Sequence, residues 1–571
     1  MESVSLKTIF ERISDVVCTC FPDIKAEDFV VGAPPSLDLG DVAVPLFSIA
    51  KRLRRPPVVI AGELSASAPI GGFIESAAAA GPYVNFKLNR NVVGAEIIGE
   101  IIRSGGCWGS NNTGAGKKVL IEHTSINPNA SPHVGRGRCA MIGDSITRLL
   151  RFEGYDVEVH YYVNDMGRQI GLLVLLADEL RQLTFAQILD AYVEANKRAE
   201  EEPEFARRGY ELLAKIEEGD EETQRKFHAV TALCLKGQLA VLERLGVSYD
   251  VFDRESRYVT DSRLDIVERA LTEKGALFTD EDGRRVVDLS KLGYEPEEGR
   301  YFVLRRANGS SMYGCRDLVY SIDKHERGAS LNLMVLGEDH KLYAQQLALM
   351  LEAAGIPAPE VVYYAYILLK DGKMSTRQGK VVLLSDFLDQ AAALALERVR
   401  EQFPDIASEE QHAIAEQVAV SAIRFAVLRV RPNKNVTFDM DAALSFQGDT
   451  GPYIQYSCAR IRSILRKHKE PIPQAPDSSF KVETDAEWML LMKLAAFPQV
   501  VADATAQRVC AGIANYALEL AHAFTAFYHE CPVLTADDES VRRARIFLCR
   551  ATLQTLGNAL HILGIETPER M

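Results

Sequence analysis

Two apolar segments that flank one amphipathic segment restrict the fold of this chain more than any other part of its sequence. Residues 118–122 predict a buried strand, apolar residues at 139–150 recur at helical spacing, and residues 157–163 form a second apolar run. A strand, a helix and a strand in this order pack as a parallel sheet with a right-handed crossover. Sheet-like segments return at residues 331–336 and 361–369. We therefore expect an α/β domain with a nucleotide near the first strand–helix loop.

The remaining segments indicate further domains. An alternating segment at residues 81–88 is typical of a half-buried strand in an N-terminal α+β domain, and the turn-rich residues 109–116 indicate a linker. Charged, helix-prone sequence at about 172–245 indicates a helical insertion, which we place at about 172–290, and the strongly periodic segments after residue 385 predict helices. The expected domains are residues 1–115, an α/β domain at residues 116–385 and an all-helical domain at residues 386–571.

Charge and cysteine usage exclude several classes of protein. The 571 residues carry 65 Lys and Arg against 79 Asp and Glu, a formal net charge of −14, so a polyanion must bind through local basic patches. The 10 cysteines show no paired CxxC spacing, which favours reduced thiols in the cytosol over a disulfide framework. No segment approaches about 20 consecutive apolar residues, and the N-terminus lacks the apolar run of a signal peptide. We therefore expect a cytoplasmic protein without a membrane span.

The loop at residues 127–137 is the first candidate for phosphate chemistry. It lies between a predicted strand and a helix N-terminus, where free backbone N–H groups and the helix dipole favour an anion. His133 and Arg136 can donate to phosphate oxygens, and Gly135 and Gly137 allow a ligand to approach the backbone closely. The alternative is a tight turn with a surface histidine, because short glycine-containing turns before helices are common.

A basic loop at residues 370–380 is the second candidate. It follows an apolar strand, contains Gly372 and Gly379, and carries Lys373, whose ammonium could neutralise charge on a leaving pyrophosphate. A solvated charged hairpin is the simpler interpretation of this loop alone. The two loops together indicate a triphosphate site more specifically than either one does.

The two loops and five further runs of sequence together resemble one known family along the whole chain. The two loops are similar to the HIGH-type and KMSKS-type signatures of class I aminoacyl-tRNA synthetases, and the chain resembles the arginyl-tRNA synthetase family throughout. The runs are IEHTS at 121–125, YYVNDMGRQI at 161–170, GDTGPYIQY at 448–456, ELAHAF at 519–524 and LGIETPERM at 563–571. The resemblance implies a Rossmann-type catalytic domain with a helical insertion, an N-terminal tRNA-binding domain and a C-terminal helical anticodon-binding domain.

The resemblance also implies the reaction. ATP and arginine would form arginyl-adenylate and pyrophosphate, and the arginyl group would then move to the 3′ end of tRNA(Arg). ATP would bring Mg²⁺ with it, and no metal held by the protein alone is expected. Catalytic roles would belong to His133, Arg136, Lys373 and Arg377. The residues implied in ATP binding are His133, Gly135, Arg136, Gly337, Asp339, His340, Lys373, Met374 and Ser375.

The arginine site implied by the family pattern is built around carboxylates, which match the planar donor fork of a guanidinium. Glu122 and Asp317 would accept from the guanidinium, with Tyr313 on the same helical face as Asp317. The other implied contacts are Gln346 in the pocket and Ser125 and Asn127 at the α-amino group. Without the family pattern, Tyr313 and Asp317 are an ordinary i, i+4 helix pair.

For tRNA, the resemblance implies that the N-terminal domain reads the D-loop, with Asn85 at a position that contacts a base. The helical domain would bind the anticodon arm. Arg424 and Arg460 belong to basic clusters that would contact phosphate, and Tyr453 could stack an unpaired base. Each prediction has a structural alternative. Asn85 could be a strand-edge residue, the basic clusters could be solvated faces, and Tyr453 could be a buried aromatic residue of a helix. The family also implies a monomer without membrane association.

One departure from the family pattern keeps other functions open. Arg136 stands where the first signature usually ends in a second histidine, and residues 129–132 before it are also unusual. A guanidinium is longer than an imidazole and permanently charged, so a diverged paralogue that activates arginine for another acceptor is one alternative. A tRNA-binding protein without ligase activity is the other. The retained residues that favour the ligase are Glu122, Tyr313, Asp317, Gln346 and Lys373.

Overall fold

The computed structural model describes residues 5–128, 131–180, 182–259, 261–309, 311–369 and 382–571. Its N-terminal elements are α1 (Leu6–Cys20), β1 (Val42–Pro45), α2 (Phe47–Leu53), α3 (Pro57–Ser67), β2 (Ile74–Ala80), β3 (Tyr83–Leu88) and α4 (Arg90–Ser104). β3 pairs with both β1 and β2 in an antiparallel sheet. Ser5 caps α1 by accepting from Thr8 N, and α1 buries Ile9, Ile13 and Val17. The alternating segment predicted near residue 83 is therefore confirmed as a central strand of a small α+β unit.

The middle of the chain contains the parallel sheet. Its elements are β4 (Lys118–Glu122), α5 (Val134–Phe152), β5 (Asp156–Val163), α6 (Arg168–Val174), α7 (Ala177–Leu180), α8 (Phe185–Glu201), α9 (Pro203–Glu217), α10 (Glu221–Arg244), β6 (Val251–Arg254), α11 (Leu264–Glu273), β7 (Leu277–Thr279), β8 (Arg285–Asp288), β9 (Tyr301–Arg305), α12 (Tyr313–Glu326), β10 (Leu331–Gly337), α13 (Lys341–Ala353), β11 (Glu360–Tyr364) and β12 (Ile367–Leu369). Five strands pair in parallel in the order β11-β10-β4-β5-β6. The predicted strand–helix–strand unit is confirmed as β4–α5–β5.

The strand order places the ends of β4 and β10 side by side at the centre of the sheet. β4 continues through α5 to β5 on one side, whereas β10 pairs with β11 on the other side. In open α/β sheets, ligands bind in the crevice outside the carboxyl ends of the strands where the order reverses. Glu122 ends β4 opposite Met334, and Gly337 ends β10. The sheet therefore directs both the loop after β4 and the turn after β10 toward one crevice.

The helical insertion is shorter than the sequence indicated. Helices α6 to α10 end at Arg244, whereas β6 joins the parallel sheet, and β7, β8 and β9 form a separate antiparallel sheet. The expectation of helical structure up to about residue 290 is therefore wrong. Strands β7 and β8 are only 3 and 4 residues long, too short for a clear alternation of polar and apolar residues. Gly283, with a φ of 80°, lies in the turn that joins them.

The C-terminal part is helical, as expected. Its elements are α14 (Leu384–Gln402), α15 (Ser408–Leu428), β13 (Val436–Phe438), α16 (Met440–Ala443), α17 (Gly451–Lys467), α18 (Asp485–Ala495), α19 (Phe497–Gln507), α20 (Ala511–Glu530) and α21 (Glu539–Ile562). The short strand β13 is an exception, because it pairs in parallel with β12. Within the described residues, Asp485–Gln507 is the one helical stretch long and apolar enough to cross a membrane, and half of its apolar window is buried inside the protein.

Candidate active site

A cavity of about 730 Å³ opens at the carboxyl ends of β4 and β10. Its walls come from the loop after β4, the end of β5, the turn after β6, and helices α12 and α13. The predicted substrate-binding residues that line it are Glu122, Ser125, Asn127, Arg136, Tyr313, Asp317 and His340. Residues that lie far apart in the sequence therefore meet in one cavity.

Glu122 is already paired with a buried cation. Lys324 on α12 donates from Nζ to Glu122 Oε2 at 2.7 Å, and Lys324 is only 1% exposed. The same ammonium lies 4.1 Å from the centre of the Tyr320 ring. Ser125 Oγ donates to the other carboxylate oxygen, Oε1, at 3.4 Å. Part of the charge on Glu122 is therefore compensated from within the protein.

Asp317 lies one turn after Tyr313 on α12, and both side chains reach the cavity. Tyr343 on α13 donates its hydroxyl to Asp317 Oδ2 at 2.6 Å. Burial raises the pKa of Asp317, the Tyr343 hydrogen bond lowers it, and the charge of Glu122 raises it. Tyr313 is 55% exposed, and its ring centre lies 5.5 Å from that of Tyr343. Asp317 is thus the inner member of the predicted pair and Tyr313 the outer one.

Glu255 is a third carboxylate of the cavity, and sequence analysis missed it. It lies in the short turn after β6, is buried, and accepts from Arg316 Nε at 2.5 Å. Burial raises the pKa of Glu255 to about 7, although the charge of Arg316 opposes this rise. The sequence feature that could have identified Glu255 is its position directly after a strand of the parallel sheet. That strand, β6, could not be recognised in the sequence because it is only 4 residues long and half of those residues are charged.

Tyr162 on β5 contributes a buried hydroxyl that has no hydrogen-bond partner among the described residues. It lines the cavity within electrostatic reach of all three carboxylates, and its ring stacks on Tyr320 with centres 4.7 Å apart. Burial raises the pKa of Tyr162 well above its usual value, so the hydroxyl stays protonated. An unsatisfied buried polar group costs about 1–3 kcal/mol, which a polar ligand in the cavity can recover.

The loop after β4 holds Ser125 in an unusual backbone conformation. Thr124 and Ser125 have φ values of 75° and 42°, in the left-handed region that residues with a Cβ rarely adopt. Tyr162 N donates to Ser125 Oγ at 3.1 Å, and Ser125 N donates to His123 O at 3.0 Å. Burial lowers the pKa of His123 to about 4, so its ring is neutral in this turn. Strained backbone of this kind is typical of binding sites whose surroundings fix it.

Helix α5 begins at the first signature. His133 directly precedes α5, and Arg136 lies in its first turn and lines the cavity. Burial lowers the pKa of His133, and the charge of Arg136 lowers it further, so the ring is neutral at pH 7. Val134 N donates to Val382 O at 3.2 Å, and His133 forms a β-bridge with Leu383. The residues that follow the second signature therefore lie against the N-terminus of α5.

The other predicted ATP residues are only partly described. A Cβ at Gly135 would lie 3.0 Å from the His133 ring, so this position has little room for a side chain. A Cβ at Gly337 would overlap Asp339 Oδ1. His340 Nε2 and Asp339 Oδ2 are 3.6 Å apart. Lys373, Met374, Ser375 and Arg377 lie outside the described residues, as do Asn129 and Ala130 of the first loop.

Gln346 does not take the position predicted for it. Its Nε2 donates to Gly299 O at 2.6 Å. The described residues that line the cavity include the neighbouring Gln345 but not Gln346. One residue along an α-helix rotates the side chain by about 100°. In this conformation Gln346 therefore supports the wall of the site from outside the cavity.

Arg424 is a structural residue, and its predicted contact with tRNA phosphate is wrong. It lies on α15 and is 0% exposed. Its guanidinium donates to Asp144 Oδ2 at 2.6 Å, to Leu563 O at 2.6 Å and to Leu245 O at 2.7 Å. These acceptors lie on α5 and at the ends of α21 and α10, so Arg424 joins four helices. The sequence placed it among surface cations because only the packing of those helices shows its burial.

The remaining predicted tRNA-binding residues lie in different environments. Arg460 on α17 is partly exposed, and its guanidinium carbon lies 4.8 Å from the ring centre of Tyr456. Tyr453 is half-buried, and its hydroxyl lies 2.8 Å from Thr525 Oγ1. Asn85 lies in β3 and is 7% exposed. Their contacts with tRNA stay predictions.

The described side chains offer neither a metal centre nor a reactive thiol beside the cavity. Within the part of the chain that the structure describes, no group of three or more His, Cys, Asp and Glu is arranged to hold a metal ion. All ten cysteines are unpaired. Burial raises the pKa of Cys139, on α5, to about 11, which makes its thiol a poor nucleophile at neutral pH.

Comparison with known proteins finds relatives along the whole chain. Residues 6–88, 98–440 and 454–571 match the families described as arginyl tRNA synthetase N terminal domain, tRNA synthetases class I (R), catalytic domain, and DALR anticodon binding domain. An arginine–tRNA ligase of Methanopyrus kandleri is 37% identical over 100% of this chain and 98% of that protein. One of Methanocaldococcus jannaschii is 36% identical over 100% of both. The Thermus thermophilus arginyl-tRNA synthetase structure has a TM-score of 0.77 at 29% identity, covering 99% of this chain and 100% of that one.

Proposed function

Since the chain belongs to the arginyl-tRNA synthetase family, we propose that its cavity binds arginine with the guanidinium between Asp317 and Glu255. The chain is an arginine–tRNA ligase, which uses ATP to join arginine to tRNA. Neither a different acceptor nor a loss of catalysis is favoured by the relatives. The observation that carries the proposed site is the convergence of three carboxylates on one cavity: the buried Glu122 and Glu255 and the partly buried Asp317.

The guanidinium needs acceptors on more than one side, because it presents five N–H donors in a plane. Asp317, Glu255 and the unpaired hydroxyl of Tyr162 supply acceptors from α12, from the turn after β6 and from β5. Glu122 has one oxygen occupied by Lys324, and its other oxygen lies beside Ser125. We therefore assign Glu122 to the α-amino end of arginine, with Ser125 and Asn127, and Glu255 to the guanidinium.

ATP binds beside this site at the N-terminus of α5 in the proposed arrangement. A carboxylate oxygen of arginine attacks the α-phosphate, and pyrophosphate leaves, so positioning and charge stabilisation supply most of the acceleration. Arg136 and the first backbone N–H groups of α5 face the phosphates, while Gly135 keeps the approach open. Mg²⁺ arrives with ATP and is held mainly by its phosphates. The family pattern assigns the leaving pyrophosphate to Lys373 and Arg377.

The domain roles follow the same proposal. Residues 1–115 would bind the D-loop of tRNA through Asn85, and residues 386–571 would bind the anticodon arm through Arg460 and Tyr453. Residues 116–385 would carry both chemical steps. The partly exposed guanidinium of Arg460, supported by the Tyr456 ring, is suited to a phosphate contact that weakens with salt. We also propose that the protein acts as a monomer in the cytoplasm.

Charging of tRNA with arginine tests the function directly. Purified protein, ATP, Mg²⁺, labelled arginine and total tRNA should yield acid-precipitable arginine. The Arg136→His variant should remain active, with the KM for ATP raised by no more than about tenfold, because imidazole keeps a phosphate donor but loses a permanent charge. The KM for arginine should not change. Charging only by the variant would mean that Arg136 has disabled or redirected the site.

The pH dependence of arginine binding should report the ionisation of Glu255. Because its pKa is about 7, Glu255 binds a proton as pH falls below 7, and a guanidinium binds best to the unprotonated form. The groups that face Glu255 are Arg316, Asp317 and Asp165. The KM for arginine should therefore rise as pH falls from 8 to 6, by up to about tenfold for each pH unit below the pKa. The measurement is arginine-dependent charging across this range.

The Glu255→Gln variant provides the control for this pH dependence. It should have a higher KM for arginine at pH 8 and a flatter dependence on pH between 8 and 6. A slope that persists unchanged in Glu255→Gln would assign the titration to another group.

A further inference from the structure

The charges around the arginine end of the cavity are compensated unequally. Glu122 pairs with Lys324 at 2.7 Å, and Glu255 pairs with Arg316 at 2.5 Å. Asp317 accepts a hydroxyl from Tyr343 but has no ion-pair partner among the described residues. Arg136 also lines the cavity, but the proposed arrangement places it at the ATP phosphates. At the arginine end, and above the pKa of Glu255, three carboxylates and two resident cations therefore leave one net negative charge.

The two resident cations compensate the carboxylates without occupying the cavity. All three carboxylates line the cavity. Lys324 and Arg316 are not among the described residues that line it. Lys324 is fixed behind Glu122 by the ion pair and by the Tyr320 ring. Breaking a buried pair leaves an uncompensated charge, so both cations stay in place when substrate binds. The space in front of the carboxylates remains free for the ligand.

The net charge at the arginine end of the cavity is equal and opposite to that of arginine. Arginine carries a guanidinium, an α-ammonium and an α-carboxylate, which add up to one positive charge. We propose that Lys324 is a specificity-determining residue that acts through Glu122, setting the charge of the site to select a ligand with one net positive charge. This inference rests on the proposed arginine site. Without Lys324, Glu122 would be uncompensated, and the site would favour dications that lack the carboxylate.

Three ligands with the same guanidinium test this charge match. Agmatine carries two positive charges, arginine carries one, and 4-guanidinobutanoate has no net charge at pH 8, where Glu255 is ionised. Lys324→Met keeps most of the buried volume and removes the ammonium. We define the charge ratio of a variant as its inhibition constant for agmatine divided by its inhibition constant for 4-guanidinobutanoate. In Lys324→Met this ratio of inhibition constants should fall by at least about tenfold relative to the unmodified protein. The readout is competition against arginine in the charging assay.

A double variant separates charge from loss of packing. Lys324→Met/Glu122→Gln removes both members of the pair and restores one net negative charge, so its ratio of inhibition constants should rise from that of Lys324→Met to at least that of the unmodified protein. If Lys324→Met does not fold, Glu122→Gln alone should shift the ratio in the opposite direction, because Lys324 is then uncompensated. A purely structural role for Lys324 would weaken all three ligands in equal proportion and leave the ratio unchanged.

The Asp317→Asn variant distinguishes failure of this inference from failure of the proposed site. It should weaken binding of all three ligands, because each retains the guanidinium. If it does so while Lys324→Met leaves the ratio unchanged, the role of Lys324 is overturned and the arginine site stands. If Asp317→Asn weakens none of them, the proposed arginine site is itself wrong, and the inference fails with it.

Discussion

Asp317→Asn should raise the KM for arginine by about 100-fold and leave the KM for ATP within about twofold, because truncating one partner of a buried charge pair costs about 2–5 kcal/mol. The substitution keeps the volume of the side chain but removes the carboxylate that lacks a resident cation. Tyr343 still faces the side chain, so the wall of the cavity should persist. The measurement is steady-state charging with arginine and ATP varied in turn.

Asp323→Asn is a matched control for this prediction. Asp323 is a buried carboxylate on the same helix, but it pairs with Arg263 and Arg327, and it is not among the described residues that line the cavity. It should reduce stability without a selective change in the KM for arginine. An equal rise of both KM values in Asp317→Asn, or the same arginine-selective rise in Asp323→Asn, would contradict the assignment of Asp317 to the guanidinium.

Arg424→Met should lower the free energy of unfolding by about 3–5 kcal/mol, because it leaves the buried carboxylate of Asp144 without the guanidinium that compensates it. It also leaves the carbonyls of Leu563 and Leu245 without their side-chain donor. Urea unfolding, followed by the fluorescence of the buried Trp108 and Trp488, measures the effect. The affinity of the folded variant for tRNA should be unchanged.

Arg460→Gln is the matched control, because Arg460 lies on a neighbouring helix but is partly exposed. It should change stability by less than about 0.5 kcal/mol. It should also weaken tRNA binding and lower the slope of log Kd against log salt concentration by slightly less than one, as one lost phosphate contact requires. If Arg424→Met remained as stable as the unmodified protein and lost affinity for tRNA instead, the structural role of Arg424 would be refuted.

Local sequence was sufficient for the fold class because the decisive segments are short-range patterns. The apolar runs of β4 and β5 and the helical spacing in α5 depend on neighbours within about 20 residues. The same holds for the periodic helices after residue 385. The insertion was predicted less well, since β6 to β9 are only 3 to 5 residues long and show no clear period. In addition, β6 pairs with β5, which lies far away in the sequence.

For the proposed arginine site, the family pattern identified which side chains meet in the cavity, but not which cations neutralise its carboxylates. Glu122, Ser125, Asn127, Tyr313 and Asp317 were named from the family pattern, and the structure brings all of them to one cavity. The pattern could not show that Lys324 forms an ion pair with Glu122, because the two residues are 202 positions apart in the sequence. It missed Glu255 for a similar reason, since its place in the cavity depends on the pairing of β6 with β5.

By itself, the sequence determined the family, the order of the domains and most residues of the proposed arginine site, because these are encoded in contiguous motifs. Only the tertiary structure decided which charged residues are buried. Arg424 and Arg460 are both arginines in basic stretches of neighbouring helices, yet one binds three internal acceptors and the other remains partly exposed. The physical reason is that the electrostatic role of a charge depends on desolvation and on its partners, which here come from distant segments.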